Sequence, residues 1–339
     1  MKPNKLLTPK QGIIQTTLLL VLLLSATATP FHRVEGSTVS NTVTVRVVAD
    51  SIVSSLEPDS NFGTLWSLTV DYREREHIYT YVMFNLSGIP RDVEITDASL
   101  QLYNIDFFPS KLNVSSHYCP DNSWNETEIT WSSMPSFAPE PDCSVQISKY
   151  GWYNWTVTDR VRSVVSNGDK FLTEVLKVDV GPSDGAFMAA FYSKDFQQGG
   201  GYGPMLTINV TKRATSISCS VSHDVVPLVN QLTVFGSIDP NPGMVEVVLT
   251  YTGPEGEEVR TLISDPEGWF NDTFIPGKVG EWLVVANWSG NDFYEGTASP
   301  QVSFTVESAG PIVFFLGVAA VAFVASLIII KGRRLRRRR

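Results

Sequence analysis

Flat aromatic side chains are the residues of this chain with the clearest chemistry to offer. Trp66, Trp124, Trp131, Tyr150, Trp152, Tyr153, Trp155 and Tyr192 crowd into its first two thirds. Such rings stack on the apolar faces of pyranoses while neighbouring polar groups bond the sugar hydroxyls. Trp66, Trp152 and Tyr153 stand beside polar or glycine residues and are the ones expected at the surface. Arg73 and Arg75 are rare positive charges in an acidic region and suit a uronate carboxylate; a solvated hairpin tip is the alternative reading. Asp50, Asp59 and Asn61 bring hard oxygen ligands of the kind Ca²⁺ takes, without EF-hand spacing; side chains closing Asx turns would also account for them. Apart from such a structural Ca²⁺, no cofactor is implied.

Catalytic groups are harder to assemble. His32, His77, His117 and His223 show no metal-ligand spacing, and no Gly-x-Ser-x-Gly elbow occurs. Glu126 and Glu128 share one face of an extended run without forming a defined acid/base pair. The chain is therefore expected to bind rather than to catalyse.

These residues must be held by strands. Val43, Val45 and Val47 alternate with polar partners, Ile78 to Phe84 repeats the period of two, and similar runs recur at 98–103, 176–180, 187–192 and 205–210. One short helix is expected, with Thr158 as N-cap, Val161, Val164 and Val165 on one face, and Asn167-Gly168 as the stop. The pattern resets near Thr211 to Thr215. Seven further runs follow, at 216–221, 231–236, 245–251, 259–264, 268–274, 280–288 and 301–306, separated by turns such as Asn241-Pro242-Gly243. The fold class is all-β: two sandwiches in series.

The two ends read differently. Lys2, Lys5 and Lys10 precede the apolar run Leu18 to Leu24 and the small residues Ala26-Thr27-Ala28, which suits a signal peptide over residues 1–28, cleaved or kept as an anchor. Ile312 to Ile330 is apolar throughout and long enough to span a bilayer, and the tail 331–339 carries Lys331 and six arginines. By the positive-inside rule the tail is cytoplasmic and residues from about 29 to 309 lie outside, a single-pass surface topology. Ten of the 26 Lys and Arg fall in these terminal segments, so the exterior part opposes 16 of them to 35 Asp and Glu. That acidic balance argues against nucleic acid as a partner. Seven sequons, at Asn85, Asn113, Asn125, Asn154, Asn209, Asn271 and Asn287, fit exposure to a glycosylating compartment. Cys119 and Cys143 bracket a loop-rich stretch and are expected to form a disulfide there, leaving Cys219 as a small buried hydrophobe.

Ala49-Asp50, Asn61-Phe62-Gly63, Phe84-Asn85-Leu86-Ser87 with Ile89-Pro90, Trp124-Asn125-Glu126 leading to Ile129-Thr130-Trp131, Phe191-Tyr192-Ser193 and Pro204-Met205-Leu206 occur in the order found in the DNRLRE domain. Residues 41–211 resemble that family. The resemblance implies a jelly-roll-type β-sandwich of the carbohydrate-binding-module class, similar to domains of archaeal surface proteins, and it implies that Trp124, Trp131 and Trp155 fill its interior. Residues 215–307 resemble the Ig-like repeats of archaeal and bacterial surface proteins through Leu232 to Ser237, Val248 to Tyr251, Gly280 with Trp282, and Trp288 to Asn291. That resemblance implies a spacer or adhesion module. The function expected is an anchored surface protein whose outer module binds a polysaccharide or glycan. A structural envelope component without a sugar site is the second reading, and a polysaccharide-cleaving enzyme the third.

Overall fold

The computed structural model describes residues 39–73, 76–106, 111–179, 188–196 and 201–308. The expected signal peptide, the apolar span, the basic tail, His32 and Arg75 lie outside them. No helix among the described residues is long and apolar enough to cross a membrane.

The first sheet system comprises β1 (Ser40–Ser54), β2 (Ser67–Arg73), β3 (Glu76–Asn85), β4 (Glu94–Asn104), β5 (Leu112–Cys119), β6 (Cys143–Ile147), β7 (Gly151–Thr156), β8 (Phe171–Val178), β9 (Met188–Tyr192) and β10 (Met205–Thr211). They run β1-β10-β4-β9-β2-β3-β8-β5-β6, with β7 also on β4. β1 belongs to both layers. Its first half pairs antiparallel with β10, and after a register shift between Val47 and Ala49 it pairs with β3. Such an irregularity bends a strand and re-aims its side chains, and Asp50 follows it directly.

Alternation decides what each strand buries. Leu206, Ile208 and Val210 of β10 and Ala98, Leu100 and Leu102 of β4 point inward, against Phe84, Trp155, Leu172, Leu176 and Phe191. Trp155 fills this core, its Nε1–H donating to the Val114 carbonyl at 2.8 Å. Each fully buried side chain of this size contributes about 1.5–3 kcal/mol. The loop between β5 and β6 lies over the outer face of β3, β5 and β8. There Trp124, Trp131 and Phe137 cover Tyr79 and Tyr81, so these strands are buried on both faces and lose the simple period of two.

The helix α1 (Thr158–Asn167) stops as expected: Gly168 adopts a left-handed φ of 78° and its N–H reaches back to Val165 O. Its start differs. Thr158 is already helical, and its hydroxyl accepts from Ala98 N instead of capping the helix. Val161, Val164 and Val165 face the core, while Arg160 forks onto Asp142 and lies over the Tyr118 ring.

The second set comprises β11 (Ser216–Ile217), β12 (Ser220–Val221), β13 (Val225–Pro227), β14 (Leu232–Asp239), β15 (Glu246–Gly253), β16 (Gly256–Ile263), β17 (Trp269–Phe274), β18 (Gly280–Gly290), β19 (Glu295–Ala298) and β20 (Val302–Glu307). β11, β12, β14 and β17 make a small sheet, and β13-β20-β18-β15-β16 with β19 a larger one. Between them Tyr251 stacks on Phe274 with centroids 4.0 Å apart, beside Trp282 and Phe304. The expected runs are all present. The first is broken into β11 and β12, and β13, which pairs parallel with β20, was not legible as a run.

Among the described residues the two cores share one side chain. Phe293, in the β18–β19 turn, packs against both. Around it Asp92 accepts from Arg213 and from the Tyr294 hydroxyl, and Asn41 donates to the Asp292 carbonyl.

Candidate functional site

On the outer face of β4, β7 and β9 six rings of the first domain join into a row, whereas the exposed Tyr72 and Tyr150 pair with none of them. Tyr103 and Trp152 are directly opposed across β4 and β7 and meet edge to face at 5.5 Å. Tyr202 closes on both, 4.9 Å from Tyr103 and stacked 6.3 Å from Trp152. Tyr192 stacks on Tyr103 at 5.8 Å, Phe196 on Tyr192 at 3.8 Å, and Trp66 leans on both of the latter. Trp66 is 56% exposed, Tyr202 40% and Trp152 38%. Aromatic surface is left to solvent here although burying it is favourable, which is the mark of a docking surface.

Polar groups flank the row. Two residues along from the Tyr103–Trp152 pair, Asn154, Gln101, Met205 and Arg46 lie opposite one another across β7, β4, β10 and β1. Arg46 donates to the Gly201 carbonyl at 3.4 Å and, with Lys194, Phe196 and Gly203, lines a cleft of about 340 Å³. Rings for stacking, amides and cations for hydroxyl or carboxylate oxygens, and an open cleft together suit an oxygen-rich ring compound.

An acidic cluster braces the end of the row. One carboxylate oxygen each from Asp50, Glu126 and Asp195 lie within 4.8 Å of one another. Asp50 is 1% exposed. Its Oδ2 accepts from Lys194 N at 2.8 Å, and its Oδ1 has no partner among the described residues. Burial pushes this carboxyl up to about 7; the Lys194 backbone N–H pulls it down, and the charges of Glu126 and Asp195 push it further up. The Lys194 ammonium sits 2.9 Å from Glu126 and 3.3 Å from Asp195. The next turn carries the brace to the rings: Ser193 Oγ donates to Leu65 O at 2.6 Å, Ser193 N donates to Trp66 O, and Phe196 follows three residues later.

An orphaned buried carboxylate oxygen beside two further carboxylates fits a hard cation such as Ca²⁺. The set differs from the expected one. Asp50 is in it, but Asp59 instead accepts from Ser132 Oγ at 2.9 Å. Asn61 donates to the Glu126 and Ile129 carbonyls, both at 2.8 Å, and accepts from Gly63 N. Both hold the 126–132 segment in place, an extended form of the Asx role. Glu126 and Asp195, far from Asp50 in sequence, supply the other carboxylates.

Of the expected sugar-contacting residues, Trp66 and Trp152 lie in the ring row. Tyr153 does not: alternation turns it to the opposite face of β7, where it packs against the core and its hydroxyl accepts from Ser148 N and Lys149 N. Arg73 stands at the β2–β3 hairpin, engaged by Asp71 at 3.0 Å and Glu76 at 3.6 Å. Trp155 is buried in the core, while Trp124 and Trp131 belong to the β5–β6 loop and are half-buried against Tyr79 and Tyr81. Tyr103, Phe196 and Tyr202 are not legible in the sequence: Tyr103 joins the row through the pairing of β4 with β7 and β9, Phe196 through the turn after β9, and Tyr202 through the approach to β10.

The expected disulfide is absent. Cys119 and Cys143 are free thiols. Cys143 lies opposite Ser116, three residues along β5 from Cys119, or about 10 Å at strand rise, beyond the roughly 7 Å limit between α-carbons of a disulfide. Cys219 is half-buried against the second core, as expected. Six of the sequon asparagines are exposed; Asn209 is half-buried and accepts from Thr42 Oγ1. Ser115 Oγ and His117 Nε2 approach to 2.9 Å, the spacing of a nucleophile and its base, but both side chains are sealed from solvent.

Residues 41–208 match the family model of carbohydrate-binding module family 96. No curated protein is significantly similar in sequence. Similar solved structures include the glycoside hydrolase domain of Endo-D from Streptococcus pneumoniae R6, at 8% identity over 78% of this chain and 37% of that one, with a TM-score of 0.22. A putative β-galactosidase from Bacteroides fragilis aligns at 11% identity over 77% and 41%, with a TM-score of 0.24. A putative membrane anchored protein from Corynebacterium diphtheriae aligns at 9% over 81% and 61%, with a TM-score of 0.23. The chain spans less than two thirds of the length of each.

Proposed function

We propose, taking residues 41–208 as a carbohydrate-binding module of family 96, that this chain holds a polysaccharide or glycan against the ring row Trp66–Phe196–Tyr192–Tyr103–Trp152–Tyr202. The observation that carries the reading is that these rings adjoin one another on one sheet face and three of them, Trp66, Trp152 and Tyr202, stay exposed, flanked by Gln101, Asn154 and Arg46. Sugar rings stack on Trp66 and Trp152, the polar row bonds their hydroxyls, and the Asp50–Glu126–Asp195–Lys194 cluster fixes the turn that presents Phe196. A Ca²⁺ held by the three carboxylates would add rigidity to that turn and take no part in chemistry. The reading is of a binder and not a catalyst.

The second sandwich and the apolar segment 312–330 complete the proposal. They would hold the module outward from a membrane, with the tail 331–339 inside. A purely structural role, the alternative, requires no open aromatic row.

Retention of the full chain on immobilised polysaccharides tests the function. Trp66→Ala and Trp152→Ala are each expected to weaken retention about tenfold, the loss of a stacking contact of roughly 1.4 kcal/mol, while each variant keeps a cooperative unfolding transition because neither ring belongs to the buried core. Retention equal to wild type in both variants, or no retention of the wild type on any neutral or acidic polysaccharide, refutes the assignment.

A further inference from the structure

The small sheet of the second domain carries two rings that no other aromatic side chain among the described residues touches. Trp269 on β17 is 56% exposed and Phe235 on β14 is 40% exposed. Both lie on the outer face, where Thr233, Ser237 and Thr273 surround them. Asn271 stands between them. It is directly opposite Phe235 in the β14–β17 register and two residues from Trp269 on the same strand, so all three side chains leave the same face. Opposed residues hold their β-carbons about 5 Å apart, and neighbours on one face of a strand are about 7 Å apart. Asn271 is exposed, is the acceptor of the sequon Asn271-Asp272-Thr273, and makes no side-chain hydrogen bond among the described residues.

We propose that Asn271 carries an N-linked glycan whose first sugar lies across Trp269 and Phe235. The donor is an oligosaccharide on a polyprenyl pyrophosphate. Its sugar C1–oxygen bond to the pyrophosphate breaks, a C1–Nδ2 bond to Asn271 forms, and one amide proton leaves with the lipid pyrophosphate. Once attached, the sugar meets an indole on one side and a phenyl ring on the other, and the surrounding hydroxyls suit its own. Two rings in a polar frame are too small a patch for a protein interface but match one saccharide unit.

The other sequons lack this setting. Asn85 faces one ring, Phe171, across β3 and β8, but its Oδ1 already accepts from Ser87 N at 3.0 Å; Asn125 accepts from Thr127 N and Asn209 from Thr42 Oγ1. Asn287 faces Val248 and Ala298, and Asn113 faces Gln146. Asn154 has Trp152 two residues before it, but its cross-strand partner is Gln101 and not a second ring. The proposal is independent of the sugar-binding row and shares with the reading above only the placement of this domain outside the membrane.

The test expresses the full chain in an N-glycosylating host and maps each sequon by peptide mass spectrometry with and without N-glycosidase. Asn271 is expected to be modified. Melting temperatures are then compared for wild type, Asn271→Gln, Trp269→Ala and the double variant, each made with and without glycosylation. Asn271→Gln is expected to lower the melting temperature of the glycosylated protein by about 2–4 °C, to have less effect when Trp269 is already alanine, and to have none in unglycosylated protein. Trp269→Phe is expected to keep part of the effect. An unmodified Asn271 beside modified sequons overturns the proposal alone. Absence of modification at every sequon overturns it together with the outward placement, and additive effects of the two substitutions overturn the stacking.

Discussion

Replacing Asp50 by Asn is expected to change how the stability of this chain depends on pH. The carboxyl is buried and stands at about 7 in the folded protein, against 3.8 when unperturbed. Between those values the folded chain holds a proton that the unfolded chain has released, so the folded state binds more protons and stability falls as pH rises. Asp50 thus contributes no penalty below pH 4, and its full penalty is present above pH 8. At 1.36 kcal/mol for each unit of pKa, the penalty reaches about 4 kcal/mol. Asn is nearly isosteric, its carbonyl can still accept from Lys194 N, and its amide cannot ionise. Urea unfolding at a series of pH values in metal-free buffer is the assay. At pH 4 the variant is expected to match wild type to within about 1 kcal/mol; at pH 8 it is expected to be more stable by about 4 kcal/mol. Added calcium, which suits such oxygens, is expected to stabilise wild type at pH 8 more than the variant. Parallel stability curves for the two proteins from pH 4 to 8 would refute the account of a strained carboxylate beneath the ring row.

Two further outcomes follow from close packing and from register. A β-carbon on Gly63 would fall 2.0 Å from the Glu126 carbonyl oxygen, so Gly63→Ala is expected to destabilise by about 2–3 kcal/mol and to weaken polysaccharide retention by displacing Glu126; a variant with wild-type urea midpoint contradicts this. Alkylation of the unfolded chain without reductant is expected to label Cys119, Cys143 and Cys219, whereas in the folded protein Cys119 is slow because burial pushes its thiol up to about 11. A peptide linking Cys119 to Cys143 in the mass spectrum would show that the register between β5 and β6 is wrong.

Local periods carried most of the fold. β4, β10, β15 and β18 are legible because each buries one face, and α1 because three valines and a glycine stop mark it. What the sequence hides is pairing. Polar or glycine neighbours mark Trp66 and Trp152 as surface residues, but the same argument misplaces Tyr153, because Trp152 and Asn154 beside it occupy the other face of β7. Asp59 and Asn61 attracted the metal reading by closeness in sequence to Asp50. The carboxylates that join it come from a loop and a turn distant in the chain, and the irregularity at Val47–Ala49 that aims Asp50 at them leaves no compositional trace. Cys119 and Cys143 failed for the same reason, since a spacing along the chain says nothing of a three-residue offset across two strands.

The pairing of Ser40 with Thr211 places the entry and the exit of the first sandwich side by side. A domain whose ends meet can be lifted out of one chain and set into another at a single loop, because the host needs to bridge only one strand spacing. Here that freedom is restrained, since Phe293 and the Asp92–Arg213–Tyr294 contacts tie the module to its neighbour. A graft of the module alone would be portable but free to swivel, whereas one that also carried the β18–β19 turn would keep the direction in which its ring face looks.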